Sequence, residues 1–115
     1  MQTQAQIKAL LESEAVVDGD TETLPIELDA IPGAIWQLEL HSLLPADVRV
    51  SLFERGAQKC ALLRFPRGQA QEAYRAFDVA RQAANVASHQ AHLSAAQAVH
   101  LAREASAREQ SAKAD

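Results

Sequence analysis

Four histidines and one cysteine are the side chains of this sequence best suited to acid–base, nucleophilic or metal chemistry. Their spacing is most suggestive at His89-Gln90-Ala91-His92, with His100 further on. On a helix these three histidines project within about 80° of one another. Histidines at i, i+3 can share a metal, but first-row metals want a third or fourth ligand, and only Glu104 or Asn85 stands near. The surrounding Asn, Gln and Arg residues are those of a solvated helix face. A small acid–base or metal-assisted enzyme would need His41, His89 or His92 gathered in a cleft with a carboxylate. Cys60 is alone, and no spacing ties it to His41 or Asp47, so its expected role is packing. Asp18-Gly19-Asp20 lacks the further oxygen ligands and closing glutamate of a calcium loop. No glycine-rich nucleotide loop, paired-cysteine motif or nucleophile elbow occurs. The sequence therefore assigns no catalytic residue, no cofactor-binding residue and no metal ligand.

The histidines lie in the stretch around which the chain is organised. It begins at Pro66-Arg67-Gly68 and runs as RGQAQEAYRAFDVARQAANVASHQAHLSAAQAVHLAREASAREQ almost to the end. Alanine, glutamine and arginine dominate it, and neither proline nor glycine interrupts it after Gly68, so the expectation is one long helix. The competing arrangement is a break near Asn85 or Ser88 that folds the segment into an antiparallel pair. A helix of about 40 residues is roughly 60 Å long, whereas a compact domain of this chain length has a radius of gyration near 13 Å. The helix should overrun its own domain.

One broad face of that helix is apolar but small. Ala80, Ala84, Ala87, Ala91, Ala95, Ala98, Leu101 and Ala102 lie on it, and Val79, Val86 and Leu93 form a ridge in seven-residue steps along one border. Between Arg81 and Arg103 no residue carries a formal charge apart from what the histidines take up. Small side chains gain little by burial, but they allow close approach of another helix. The eight residues from Ala80 to Ala102 named above are thus the expected partner-binding surface, for a second copy in a coiled-coil-like homodimer or for another protein. By this division, residues 1–81 form a head and 82–115 a helical extension of a single domain.

The head reads as follows. Thr3 and Gln6 have capping-box spacing, and Ile7, Leu10, Leu11 and Ala15 form a helical stripe, which predicts a short N-terminal helix. Asp18 to Thr21 reads as a turn. Ile26, Leu28 and Ala30, then Trp36, Leu38 and Leu40, then Val48, Val50 and Leu52 alternate with polar residues, predicting strands with one covered and one wet face. Ala61 to Phe65 predicts a more fully buried strand. Pro32-Gly33, Pro45-Ala46-Asp47 and Arg55-Gly56-Ala57 supply turns, the last a hairpin needing Gly56 at positive φ. Pro25 marks its strand as an edge. The expected class is α+β: a short N-terminal helix, an antiparallel sheet of three to four strands, and a long alanine-rich C-terminal helix projecting beyond the domain. Tyr74 and Phe77 should dock on a sheet face made by Trp36, Leu38, Val50, Leu52, Leu63 and Phe65.

Composition limits the function. The 115 residues carry a formal charge of −4, which argues against general affinity for nucleic acid or anionic membrane. Arg49, Arg64 and Arg67 with Phe65 and Tyr74 could make a nucleic-acid surface, but no base-stacking motif accompanies them. Eight acids precede Pro45 against Lys8 alone, whereas arginines crowd the middle, so the halves are of opposite sign. The absence of a basic leader or a long apolar run predicts a cytoplasmic protein, the single cysteine fits a reducing compartment, and the Ala- and Arg-rich usage suggests a bacterial source. No small-molecule substrate is evident. In layout, an acidic α-β-β-β-α chain is similar to bacterial secretion chaperones; that likeness implies a dimer wrapping an unfolded client. The expected function is a non-catalytic interaction module: an adaptor, a regulator or a component of a bacterial or phage assembly.

Overall fold

A computed structural model describes the backbone of residues 2–113 and side chains from Gln2 to Ala105. Strand β1 is Ile7–Leu10, and a 3-10 turn, Glu12–Glu14, leads to β2, Val16–Asp18. Then come β3, Thr21–Leu28, and helix α1, Ala34–Leu43. Strands β4, Arg49–Arg55, and β5, Gln58–Pro66, form a hairpin, and α2 spans Ala70–Lys113. The class is α+β, with a five-stranded antiparallel sheet and a long C-terminal helix.

The sheet runs β1-β3-β5-β4, and β2 pairs with the opposite end of the β3 edge that β1 uses. Strands β3 and β5 pair from Thr21↔Pro66 to Leu28↔Lys59. This register sends Leu24, Ile26 and Leu28 to the same face as Ala61, Leu63 and Phe65, where Val50 of β4 joins them. Helices α1 and α2 cover that face with Trp36, Leu40, Ala73, Phe77, Ala80 and Ala84. Fully burying a residue such as Phe77 contributes about 1.5–3 kcal/mol. The β4–β5 hairpin closes at Gly56 with φ of 60°, the left-handed geometry expected of it.

Three local expectations are corrected. First, the N-terminal helix does not form. Residues 2–6 form no helix and Ile7–Leu10 is a strand. A helix this short is marginal without a packed face, whereas the β3 edge offers backbone partners at once, from Ile7↔Leu28 to Leu10↔Ile26. Thr3, the intended cap, lies against His89 instead. Second, Trp36, Leu38 and Leu40 belong to α1. Trp36 and Leu40 are fully buried while Leu38 is 72% exposed; an i, i+4 pair was hidden inside an apparent alternation. Leu38 thus takes no part in the apolar surface on which Phe77 docks, and Trp36 enters it from a helix. Third, Pro25 occupies an inner strand, opposite Leu62. In an antiparallel ladder a residue's N–H and C=O point the same way, and the Pro25 carbonyl accepts from Leu11 N–H. The missing donor therefore faces the gap where the chain leaves the ladder between β1 and β2, so proline costs no sheet hydrogen bond.

Helix α2 is continuous through Asn85 and Ser88 for 44 residues. The molecule measures 76 × 29 × 16 Å, with a radius of gyration of 19.9 Å.

A buried polar clamp and an uncovered helix

The head holds α2 through polar side chains as well as apolar ones. Asn85 is 7% exposed. Its Oδ1 accepts from Trp36 Nε1–H at 2.8 Å and from the Ala5 N–H at 2.8 Å, and its Nδ2 donates to the Ala5 carbonyl at 3.0 Å. One amide side chain thereby satisfies both backbone groups of Ala5 and ties α1 to α2. One turn earlier Arg81, 8% exposed, donates from Nη1 to the same Ala5 carbonyl at 2.9 Å and to Gln6 Oε1 at 3.0 Å. Its Nη2 donates to Asp78 Oδ1 at 2.7 Å, so the buried guanidinium is both paired and hydrogen-bonded, as burial of a charge requires. Ala5 itself is fully buried. The segment just before β1 is thus held against the head by side chains of a helix. Sequence periodicity had put Asn85 on the wet face. The available signal was a poor helix former in an alanine-rich run, one position beyond the apolar stripe.

The expected partner-binding residues divide along α2. Ala80 and Ala84 are buried beneath the head at 1% and 0% exposure, so they belong to the core. Ala87 and Ala91 are half-buried. Ala95, Ala98, Leu101 and Ala102 are exposed, as is every residue from His92 to Ala105. The stripe that packs on the head as Phe77, Ala84 and Ser88 therefore continues in four- and three-residue steps past the place where the head ends. Leu93, Val99 and Leu101 of this overhang are more than half exposed. The ridge formed by Val79 and Val86, on the far side of the helix, is exposed too.

The histidines are not brought to one centre. His41 is exposed on α1, His89 faces the Thr3 hydroxyl at 3.4 Å, and His100 Nε2 lies 3.1 Å from Glu104 Oε1. Among the described residues no three His, Cys, Asp or Glu side chains gather as metal ligands would. Phe65 is 2% exposed, so it offers no stacking platform beside Arg64. Glu14 and Arg55 form a bidentate pair at 2.6 and 3.0 Å. The guanidinium lowers the Glu14 pKa by hydrogen bonding, and the carboxylate raises that of Arg55. Cys60 is fully buried on β5, and burial pushes its thiol pKa up, opposed by the charge of Arg55. A buried thiol that resists ionisation is suited to packing. No helix is long and apolar enough to cross a membrane, among the described residues.

Compared with known families, curated proteins and solved structures, the chain matches none.

Proposed function

We propose that the chain is a non-catalytic protein-interaction module, whose sheet and paired helices form an anchoring head and whose α2 overhang docks on a second copy of the chain. One observation carries the reading: the apolar stripe of α2 does not stop where its cover stops. Ala95, Ala98, Leu101 and Ala102 prolong the face that packs inside the head, and they are exposed. Small residues at alternating three- and four-residue steps favour close approach of a second helix at a shallow angle. The stretch from Gln82 to Ala102 contains no Asp, Glu, Lys or Arg; a solvated helix of that length ordinarily carries such charges, and their lack removes the repulsion that would keep two copies apart. In the cell the module would serve as an adaptor, a regulator or a component of a larger assembly.

The test is absolute mass by light scattering over a concentration series, on the full chain and on the Ala98→Glu/Leu101→Glu chain. Both positions are exposed, so the head should stay folded by Trp36 fluorescence while a dimer becomes a monomer. A full chain that is monomeric at every concentration, or a double variant of unchanged mass, sinks the reading.

A further inference from the structure

The head and the exposed stripe of α2 lie on the same side of one helix. Ala73, Phe77, Ala80 and Ala84 are buried beneath the head. Placed at 100° per residue, these four and Ala91, Ala95, Ala98 and Ala102 all project within about 80° of one another. Every residue from His92 to Ala105 is exposed, so along this one side the head stops and the stripe goes on. A second helix laid on the stripe therefore meets the head end-on.

That placement decides which way a second copy must run. Were two copies parallel with their stripes face to face, both heads would stand at the same level and between the helices. Helices packed through small side chains have axes only about 8 Å apart. The head gives the molecule its short dimensions, 29 × 16 Å, so two heads do not fit in that gap. At a shallow crossing angle the helices do not diverge enough to clear them. Run antiparallel, each head lies beyond the end of the other copy's helix, and nothing stands between the overhangs. The spacing allows this direction. From Ala95 through Ala98 and Ala102 to Ala105 the steps are three, four and three, which read the same both ways. Ala95 of either copy then faces Ala105 of the other, and Ala98 faces Ala102.

Helix α2 continues to Lys113, so in that register its end runs back past Ala91 of the other copy. Space exists there. A hollow of about 470 Å³ lies between head and overhang, and Ile35 of α1 shares its wall with Ala91 and Ala95. Ile35 is 55% exposed, and no Asp, Glu, Lys or Arg lines the hollow. An apolar side chain of the head thus stands beside the path of the incoming helix.

We infer that the second copy docks antiparallel, with the end of its α2 against the hollow beside Ile35, so that the interface includes the head as well as the stripe. This rests on the self-association proposed above and adds its direction and its second surface.

The experiment joins small-angle X-ray scattering to light scattering on the full chain, at concentrations where the mass is that of a dimer. Two molecules of 76 Å overlapping over about 40 Å of helix should give a longest dimension of about 110 Å, whereas side-by-side heads would leave it near 76 Å. Ile35→Glu puts a charge where the helix end docks and should weaken the dimer at least about tenfold. It also places an acid in the first turn of α1, which suits a helix start, so the head should stay folded by circular dichroism. A dimer no longer than one molecule, or an Ile35→Glu chain that dimerises like its parent, overturns the antiparallel seating and leaves self-association standing. A full chain that is monomeric at every concentration overturns both.

Discussion

Asn85 is the residue on which the head closes, because three polar atoms from two other chain segments, the Trp36 indole N–H and both backbone groups of Ala5, meet on its one amide. Replacing it with alanine leaves the Trp36 indole N–H and both backbone groups of Ala5 without that partner. An unsatisfied buried donor or acceptor costs about 1–3 kcal/mol; because Arg81 still reaches the Ala5 carbonyl, two donors are left and the sum should be about 2–6 kcal/mol. Urea denaturation should record that loss as a lower midpoint with an unchanged slope, and a loss under about 0.5 kcal/mol would remove Asn85 from its assigned role. The same scale shows where sequence reading ends. That Trp36 and Phe77 are core follows from their types, whereas the partner of a polar side chain is set by whatever lies across the fold. Ala5 is 80 positions away from Asn85, and nothing local to either residue announces the other. Glu14 and Arg55, by contrast, form a surface pair whose effect follows pH in one direction. The folded carboxylate has the lower pKa, so the pair's contribution is present above the ordinary glutamate range and is lost as pH falls through the depressed value.

Among the elements, α2 and the β4–β5 hairpin were legible, and the segments before β3 and before β4 were not. The long helix declares itself because alanine, glutamine and arginine dominate it and neither proline nor glycine interrupts it. The hairpin declares itself through Gly56 and the alternation on either side. The N-terminal stretch and α1 carry short patterns compatible with two periods, and tertiary partners decided between them: the β3 edge claimed Ile7–Leu10, and the sheet face claimed Trp36 and Leu40. Leu38 separates the two readings of α1 by experiment. In a strand it would share the buried face of Trp36 and Leu40; in the helix it points to water at 72% exposure. Leu38→Glu should therefore change stability by no more than about 0.5 kcal/mol, while Leu40→Ala should cost about 2–5 kcal/mol. Equal losses measured by urea denaturation would contradict the helix. The candidate site was legible only in part: the exposed half of the alanine stripe was marked by its spacing, but the clamp of Asn85 on Ala5 and Trp36 could not be foreseen with Trp36 read on a strand.

Across the whole molecule, the boundary that matters lies between the part of α2 the head needs and the part it does not. A cut at Arg81 would remove Ala84, Asn85 and Ser88 from the interior; one at Gln97 removes, among the described residues, exposed ones alone. The chain ending at Gln97 should unfold in urea at the midpoint of the full chain, provided the comparison is made where both are monomeric, since self-association adds stability by mass action. The chain ending at Arg81 should unfold at a clearly lower midpoint or fail to fold. The clamp also fixes an order of events in time. Residues near the start of the chain are gripped by residues of the last helix, so during synthesis the first segment must wait until three-quarters of the polypeptide has been made before its binding groups exist. Until then Ala5 and the indole of Trp36 lack their buried partner, and the nascent head is a set of hairpins without a lock. Closing so long a loop is slow, and a chain slow to close leaves its strand edges open to other chains. The arrival of one asparagine, well after every strand is in place, is what would bring that exposure to an end.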